Sequence, residues 1–160
     1  MINNKQQSAK QKLQKFEFRF LIFSIVFIFY SVFIYYAGIF NGAASILFGI
    51  VFVSSAIWQA YKLYLLKKMD IETETVTSLI QKAIRYKVLT RSHTIVGMVL
   101  LIPFFILLFK FEEKLSSTPM LIAVFVGAGI GLFIGFYLFL KNLRDIDALI
   151  KSYKDTKEEE

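Results

Sequence analysis

The chain has 160 residues, of which 56% are hydrophobic and only 19% are charged, and its mean hydropathy is +0.58. A soluble domain has charged side chains at about a quarter of its positions, so this composition predicts a single membrane domain. Cysteine is absent, which excludes disulfides, thiolate chemistry and cysteine-based metal sites. The formal net charge of +7 is typical of lysine and arginine on cytoplasmic segments near anionic lipid, so no nucleic-acid partner is expected.

The first half of the chain predicts a basic lead and a membrane hairpin. Residues 1–19 are polar and carry five Lys or Arg. Residues 20–40 are apolar and reach roughly 31 Å as a helix, enough to cross the hydrocarbon core. This run is longer than the apolar region of a secretory signal, which favours an uncleaved first span. Residues 43–61 predict the second span, which ends in aromatic residues followed by lysines.

The central segment, residues 67–93, is the only long polar stretch between apolar runs. Its apolar residues recur at the spacing of an amphipathic helix, which Thr73 or Thr75 can cap. These apolar positions are Val76, Leu79, Ile80, Ala83, Ile84 and Val88. Such a helix can lie on the membrane surface or fold back on the bundle, or it can dock a cytoplasmic partner. The interaction residues predicted in this segment are Val76, Leu79, Ile80, Lys82, Ala83, Arg85 and Arg91.

The second half of the chain predicts another hairpin. Residues 94–109 are only 16 in number and reach roughly 24 Å, so they form either a short span with snorkelling cations or a re-entrant helix. Pro103 removes one N–H donor and predicts a kink there. Thr118 is a good N-cap followed by proline at the first helical position. Residues 119–140 predict the fourth span.

The charged tail, residues 141–160, is predicted to be helical. Its apolar residues have a 3-4-3 spacing, which forms a seam for another helix. They are Leu143, Ile146, Ile150 and Tyr153, and the first three complete the predicted cytoplasmic interaction surface. The central helix is the expected neighbour, because it lies on the same side of the membrane.

The distribution of positive charge predicts the orientation. Residues 1–19, 62–93 and 141–160 together hold 17 of the 19 Lys and Arg, and the two other links hold 2. Positive charge is enriched on cytoplasmic loops. The sequence therefore predicts four spans with both termini and the central segment in the cytoplasm.

A small residue recurs at every fourth position of the fourth span. These helix-packing residues are Ala123, Gly127, Gly131 and Gly135. The spacing removes side-chain bulk from one helix face, so that another backbone can approach closely. The neighbour can be a helix of this chain or of another protein, or the glycines can line a pore or substrate path.

Two polar stripes run along the predicted hairpin of spans one and two. Ser24, Ser31 and Tyr35 share one stripe, and Ser55, Gln59 and Lys62 share the other. Such groups usually form hydrogen bonds between helices, and a polar path between the spans is the alternative. His93, the only histidine, is expected at the membrane interface.

Chemistry-bearing motifs are absent from the sequence. No ionisable residue lies in the middle of a predicted span, although such residues normally mark proton relays and ion-coupled transport. Small multidrug exporters need a membrane-embedded Glu in their first span, whereas Glu17 precedes residue 20. No HExxH motif or Gly-rich phosphate loop is present. We therefore expect no catalytic, cofactor-binding or metal-ligating residues, and no enzyme.

The layout resembles a loosely defined set of small, uncharacterised multi-pass bacterial membrane proteins. The resemblance is carried by the hairpin architecture and by Asp70-Ile71, Leu79-Ile80, Arg85-Tyr86-Lys87 and Arg91 before the third span. It implies a location in a bacterial inner membrane and transfers no activity.

These patterns predict an all-α integral membrane protein with four transmembrane helices in two hairpins, a cytoplasmic amphipathic helix and a helical C-terminal tail. The expected function is non-enzymatic, through helix–helix association and the cytoplasmic interaction surface. The expected partners are anionic lipid of the inner leaflet and either a second copy or another membrane or cytoplasmic protein. A small transporter or channel component that uses the two polar stripes is the alternative.

Overall fold

A computed structural model describes residues 2–38, 42–70, 73–111 and 118–158 of the protein. Within them the chain forms four helices and no strand. The helices are α1 (Ile2–Tyr36), α2 (Gly42–Lys67), α3 (Val76–Phe111) and α4 (Thr118–Glu158). Each contains a stretch that is long and apolar enough to cross a membrane. The predicted all-helical chain with four membrane-compatible helices is thereby confirmed.

All four helices extend beyond the predicted bounds of their spans. The basic lead is the first half of α1, and the charged tail is the second half of α4. The central amphipathic segment is not a separate helix, because α3 runs from Val76 to Phe111 and passes through Pro103. No glycine or proline lies between Val76 and Gly97. Nothing in the backbone therefore favours a break where the side chains change from polar to apolar.

Local signals define the ends that the structure describes. Gly38 has a φ of 61° and follows α1, the left-handed conformation with which glycine commonly ends a helix. At the start of α3, the backbone N–H of Ser78 donates to the hydroxyl of Thr75 over 3.4 Å. Of the two predicted caps, Thr75 therefore acts as the N-cap.

The four helices follow one another around a ring. In the described parts of the chain, the backbone of α1 lies close to those of α2 and α4, and the backbone of α3 also lies close to those of α2 and α4, whereas the backbones of the diagonal pairs stay farther apart. The contact between α1 and α2 is the most extensive. Since α3 contacts both α2 and α4, it is not paired with α4 alone.

The polar ends of the helices pack around a core of their own. We call this the polar-end core, and its fully buried members are Leu13, Leu66, Met69, Leu79, Ala83, Tyr86, Ile146, Leu149 and Tyr153. The apolar halves instead expose large side chains, such as Phe29 (72%) and Phe133 (76%). Exposed apolar side chains on long helices are expected where lipid is the solvent. At the polar end the helices thus bury apolar side chains between them, as in a soluble bundle. Along their apolar halves they expose large apolar side chains.

Candidate functional site

The apolar halves of all four helices surround a partly open cavity of about 650 Å³. This volume lies within the range of about 300–1,000 Å³ that is usual for small-molecule sites. Aromatic side chains dominate its walls, namely Phe16, Phe20, Phe23, Phe27, Phe52, Phe105, Phe136 and Phe139. Gly97, Gly131 and Gly135 also line it, and the missing side chains leave space that larger residues would fill.

Polar side chains line the end of the cavity nearest to the polar-end core. We call this end the cavity floor, and it comprises Gln59, Lys62, Thr90, His93 and Asn142. Helices α2, α3 and α4 all contribute to it. The cavity therefore combines an apolar wall with a compact polar end, which is the usual composition of a small-molecule site.

Three polar atoms of the cavity floor have no hydrogen-bond partner among the described residues. They are Gln59 Oε1, Thr90 Oγ1 and Asn142 Oδ1, and each of these residues is only 3% exposed. Buried polar groups in native structures are nearly always paired, and leaving one unpaired costs about 1–3 kcal/mol. A bound polar group that donates a hydrogen bond would find an acceptor oxygen at this end of the cavity.

A buried ion pair lies directly behind the cavity floor. Lys62 Nζ donates to Glu17 Oε1 over 3.0 Å and lies 2.9 Å from Oε2. The hydroxyl of Tyr86 donates to the same Oε1. Glu17 and Tyr86 are fully buried and Lys62 is 2% exposed. One carboxylate thus holds together α1, α2 and α3, with its lysine facing the cavity.

This ion pair was not predicted from the sequence. Glu17 was expected in the basic lead, and Lys62 was expected in the polar stripe with Ser55 and Gln59. One signal was present: Glu17 is the only acidic residue before Asp70. A lone acid among many cations is a candidate for a specific pairing. Its partner lies 45 positions away, so only the fold reveals it.

The two predicted polar stripes meet where the sequence analysis expected a hydrogen bond between helices. Ser24 Oγ donates to Ser55 Oγ over 3.3 Å. Ser31 Oγ donates to the carbonyl of Ile28 in its own helix. A Cβ added at Gly49 would lie 3.1 Å from Ser31 Oγ, so Gly49 is the glycine that permits α1 and α2 to approach closely.

His93 belongs to the cavity rather than to an open interface. Its ring stacks on Trp58 with the centroids 5.4 Å apart and the planes inclined by 20°. It also lines the cavity floor. The aromatic contact fixes the imidazole beside Lys62 and the unpartnered oxygens.

The three glycines of the α4 stripe do not pack tightly against another described part of the chain. A Cβ added at Gly127, Gly131 or Gly135 would meet nothing within 4 Å. Gly131 and Gly135 face the cavity, and the side chain of Ala123 lies outside the described residues. The positions of Gly131 and Gly135 fit the hypothesis that the glycines line a pore or substrate path. Association with another chain through this face stays a prediction.

The apolar residues of the predicted interaction surface face one another inside the chain. Leu79, Ala83 and Ile146 are buried in the polar-end core, and the partly buried Val76, Ile80, Leu143 and Ile150 pack against it. This places the tail beside the central segment, as its spacing predicted. Three of these side chains are thus buried within the chain and four are partly buried, and their contact with another protein stays a prediction.

The basic residues of that surface also make contacts within the chain. Lys82 pairs with Glu74, and its hydrogen bond holds the pKa of the Glu74 carboxyl below its ordinary value. Arg85 donates to the hydroxyl of Tyr61 over 3.0 Å. Arg91 is exposed, as is Arg85.

The described residues contain no group of three or more His, Asp or Glu that could hold a metal ion. The cavity and its floor form the candidate site. No protein-family model, curated protein or solved structure matches the chain.

Proposed function

We propose that the protein is a non-enzymatic multi-pass membrane protein whose cavity binds a small apolar or amphipathic molecule, as a binding protein or transport component would. The observation that carries the proposal is the cavity itself, with its aromatic wall and three buried, unpartnered oxygens at one end. Apolar walls hold the chain of a ligand by van der Waals packing, and a few convergent polar groups fix its orientation.

Of the two functions predicted from the sequence, this proposal develops the transport component. Two observations support the choice over association. The apolar residues of the predicted interaction surface are buried in the polar-end core or pack against it. The glycines expected to contact a neighbouring helix instead leave room beside the cavity.

Filling the cavity should abolish binding. In Gly131→Phe the new side chain would project toward the cavity from a position where a Cβ meets nothing within 4 Å. We expect at least tenfold weaker labelling of cavity residues by a photoactivatable twelve-carbon alcohol that carries a diazirine, since the ring occupies the ligand's volume. Labelling would be mapped by mass spectrometry on the full chain in lipid nanodiscs.

Gly129→Phe is the matched control. Gly129 lies on the same helix, has the same open surroundings and does not line the cavity, so labelling should be unchanged. Undiminished labelling in Gly131→Phe, or equal loss in both variants, would contradict the proposal. If association through the α4 stripe were the function, Gly127→Phe would change the oligomeric state while leaving labelling intact.

The orientation of the bundle is the second part of the proposal. We infer that the polar-end core faces the cytoplasm, because 17 of the 19 Lys and Arg lie in the segments that the sequence assigns to that side. The absence of cysteine makes labelling simple. A single cysteine in Lys151→Cys should resist a membrane-impermeant maleimide on intact cells, whereas Ser116→Cys in the link before α4 should react. The opposite pattern would invert the topology.

A further inference from the structure

The charge of the cavity floor restricts the kind of head group it can hold. Among the described lining residues, Lys62 is the only Lys, Arg, Asp or Glu. Its charge is balanced by Glu17, whose two oxygens lie 3.0 and 2.9 Å from Lys62 Nζ. The floor is therefore close to neutral, and a charged head group would be buried there without a counter-charge, at a large cost in free energy.

The hydrogen-bonding capacity of the floor restricts the head group further. Gln59 Oε1 and Asn142 Oδ1 are acceptors, and the Thr90 hydroxyl both accepts and donates. All three oxygens are buried and accept no hydrogen bond from a described residue. The Tyr86 hydroxyl lies beside Thr90 and Asn142, but it gives its proton to Glu17 and can only accept from them. The Lys62 ammonium has three N–H groups, and Glu17 faces only part of them. The head group of a bound ligand must therefore donate at least one hydrogen bond to the cavity floor, and it can also accept one from it.

The shape of the cavity restricts the remainder of the ligand. Beyond the floor, the lining is aromatic and aliphatic, and Ser24 and Ser55 use their hydroxyls on each other. A molecule with a single compact polar group at one end and a flexible apolar body matches this gradient. A ligand with polar groups along its length would leave them unpaired against the phenylalanine rings.

We propose that the cavity takes a neutral, single-chain amphiphile whose head group carries a hydroxyl. That hydroxyl donates its one proton to an oxygen of Gln59, Thr90 or Asn142 and accepts a hydrogen bond from Lys62 or Thr90, and the chain lies among the phenylalanines. The inference rests on the proposed binding function and adds the ligand class to it. A hydroxyl supplies both a donor and an acceptor without a charge. A sulfonate would offer no proton to the three oxygens, and a quaternary ammonium would neither donate nor find a free anion.

The test is a competition between ligands of equal chain length. Dodecanol, dodecane sulfonate and dodecyltrimethylammonium would each compete with the alcohol photoprobe for the full chain in nanodiscs, with concentrations expressed as mole fraction in the bilayer. Both charged competitors stay ionised at every accessible pH. We expect dodecanol to displace the probe at a mole fraction at least tenfold below that of either charged competitor.

Asn142→Leu tests the head-group contact separately from the chain contacts. We expect dodecanol to lose its advantage by roughly three- to tenfold, the size of one hydrogen bond. A dodecane diazirine without any head group serves as the folding control, and it should label this variant as well as the original protein.

The outcomes separate the two levels of the proposal. If the sulfonate or the ammonium competes as well as dodecanol or better, the hydroxyl inference is overturned while binding in the cavity stands. If no twelve-carbon competitor displaces the probe, or if Gly131→Phe retains full labelling, both the ligand class and the binding function are overturned. Unchanged dodecanol preference in Asn142→Leu would remove Asn142 from the head-group site.

Discussion

Lys62→Met should lower the free energy of unfolding by about 3–5 kcal/mol, because removing one partner of a buried ion pair leaves the other charge uncompensated. In this variant Glu17, which is fully buried, would keep only the hydrogen bond from Tyr86. The measurement is equilibrium unfolding of the purified protein in mixed micelles by denaturant titration. This is the largest single-residue effect that we expect in the described structure.

Two further variants identify the cause of that loss. Lys87→Met makes the same side-chain change but breaks a pair with Asp147, whose side chain is 55% exposed, so it should cost under about 1 kcal/mol. The double variant Glu17→Leu with Lys62→Met removes both charges and should recover most of the stability. Equal losses in Lys62→Met and Lys87→Met would show that the Glu17 pair is not buried as described.

Leu79→Ala should destabilise the protein by about 2–5 kcal/mol, the usual cost of a cavity left by a large side chain in a core. Leu79 is 2% exposed and lies in the polar-end core with residues of all four helices. Ile84→Ala is the control, since Ile84 is 46% exposed and should lose only about 0.5 kcal/mol. The same unfolding assay would be used for both.

This pair of variants also tests how the central segment is oriented. The sequence counts Leu79 and Ile84 among the apolar positions of one amphipathic helix. Their five-residue separation places them about 140° apart around its axis, and the structure buries only Leu79. If Ile84→Ala proved as costly as Leu79→Ala, that face would have to contact something other than solvent. The segment would then regain the interaction role that the sequence predicted for it.

The buried stripe of α3 shows why residue type alone did not identify the inner face. Leu79, Ala83 and Tyr86 continue into Thr90 and His93 at alternating steps of four and three. That spacing is helical, but its later members are polar or aromatic with a polar tip. A prediction based on aliphatic residues alone therefore assigns Ile84 and Val88 to the inner face, although both are exposed. The polar members of the stripe face the interior because Thr90 and His93 line the cavity floor and Tyr86 donates to Glu17.

The number and type of the elements could be derived from the sequence because bilayer thickness sets the length of an apolar helix. Four apolar runs gave four membrane-compatible helices. Local chemistry also gave the cap at Thr75, although not the choice between it and Thr73. Helix length and helix capping depend on residues close together in the sequence, so they can be predicted without the tertiary structure.

The cavity and the pairing of Glu17 with Lys62 were decided only by the tertiary structure. Glu17 and Lys62 are separated by 45 positions, and the cavity floor joins side chains from three helices. The glycines of α4 illustrate the same limit, since their spacing predicts space beside a helix but not whether a backbone or a ligand fills it. Spacing along one helix defines a face. What that face meets depends on how the helices are arranged around it.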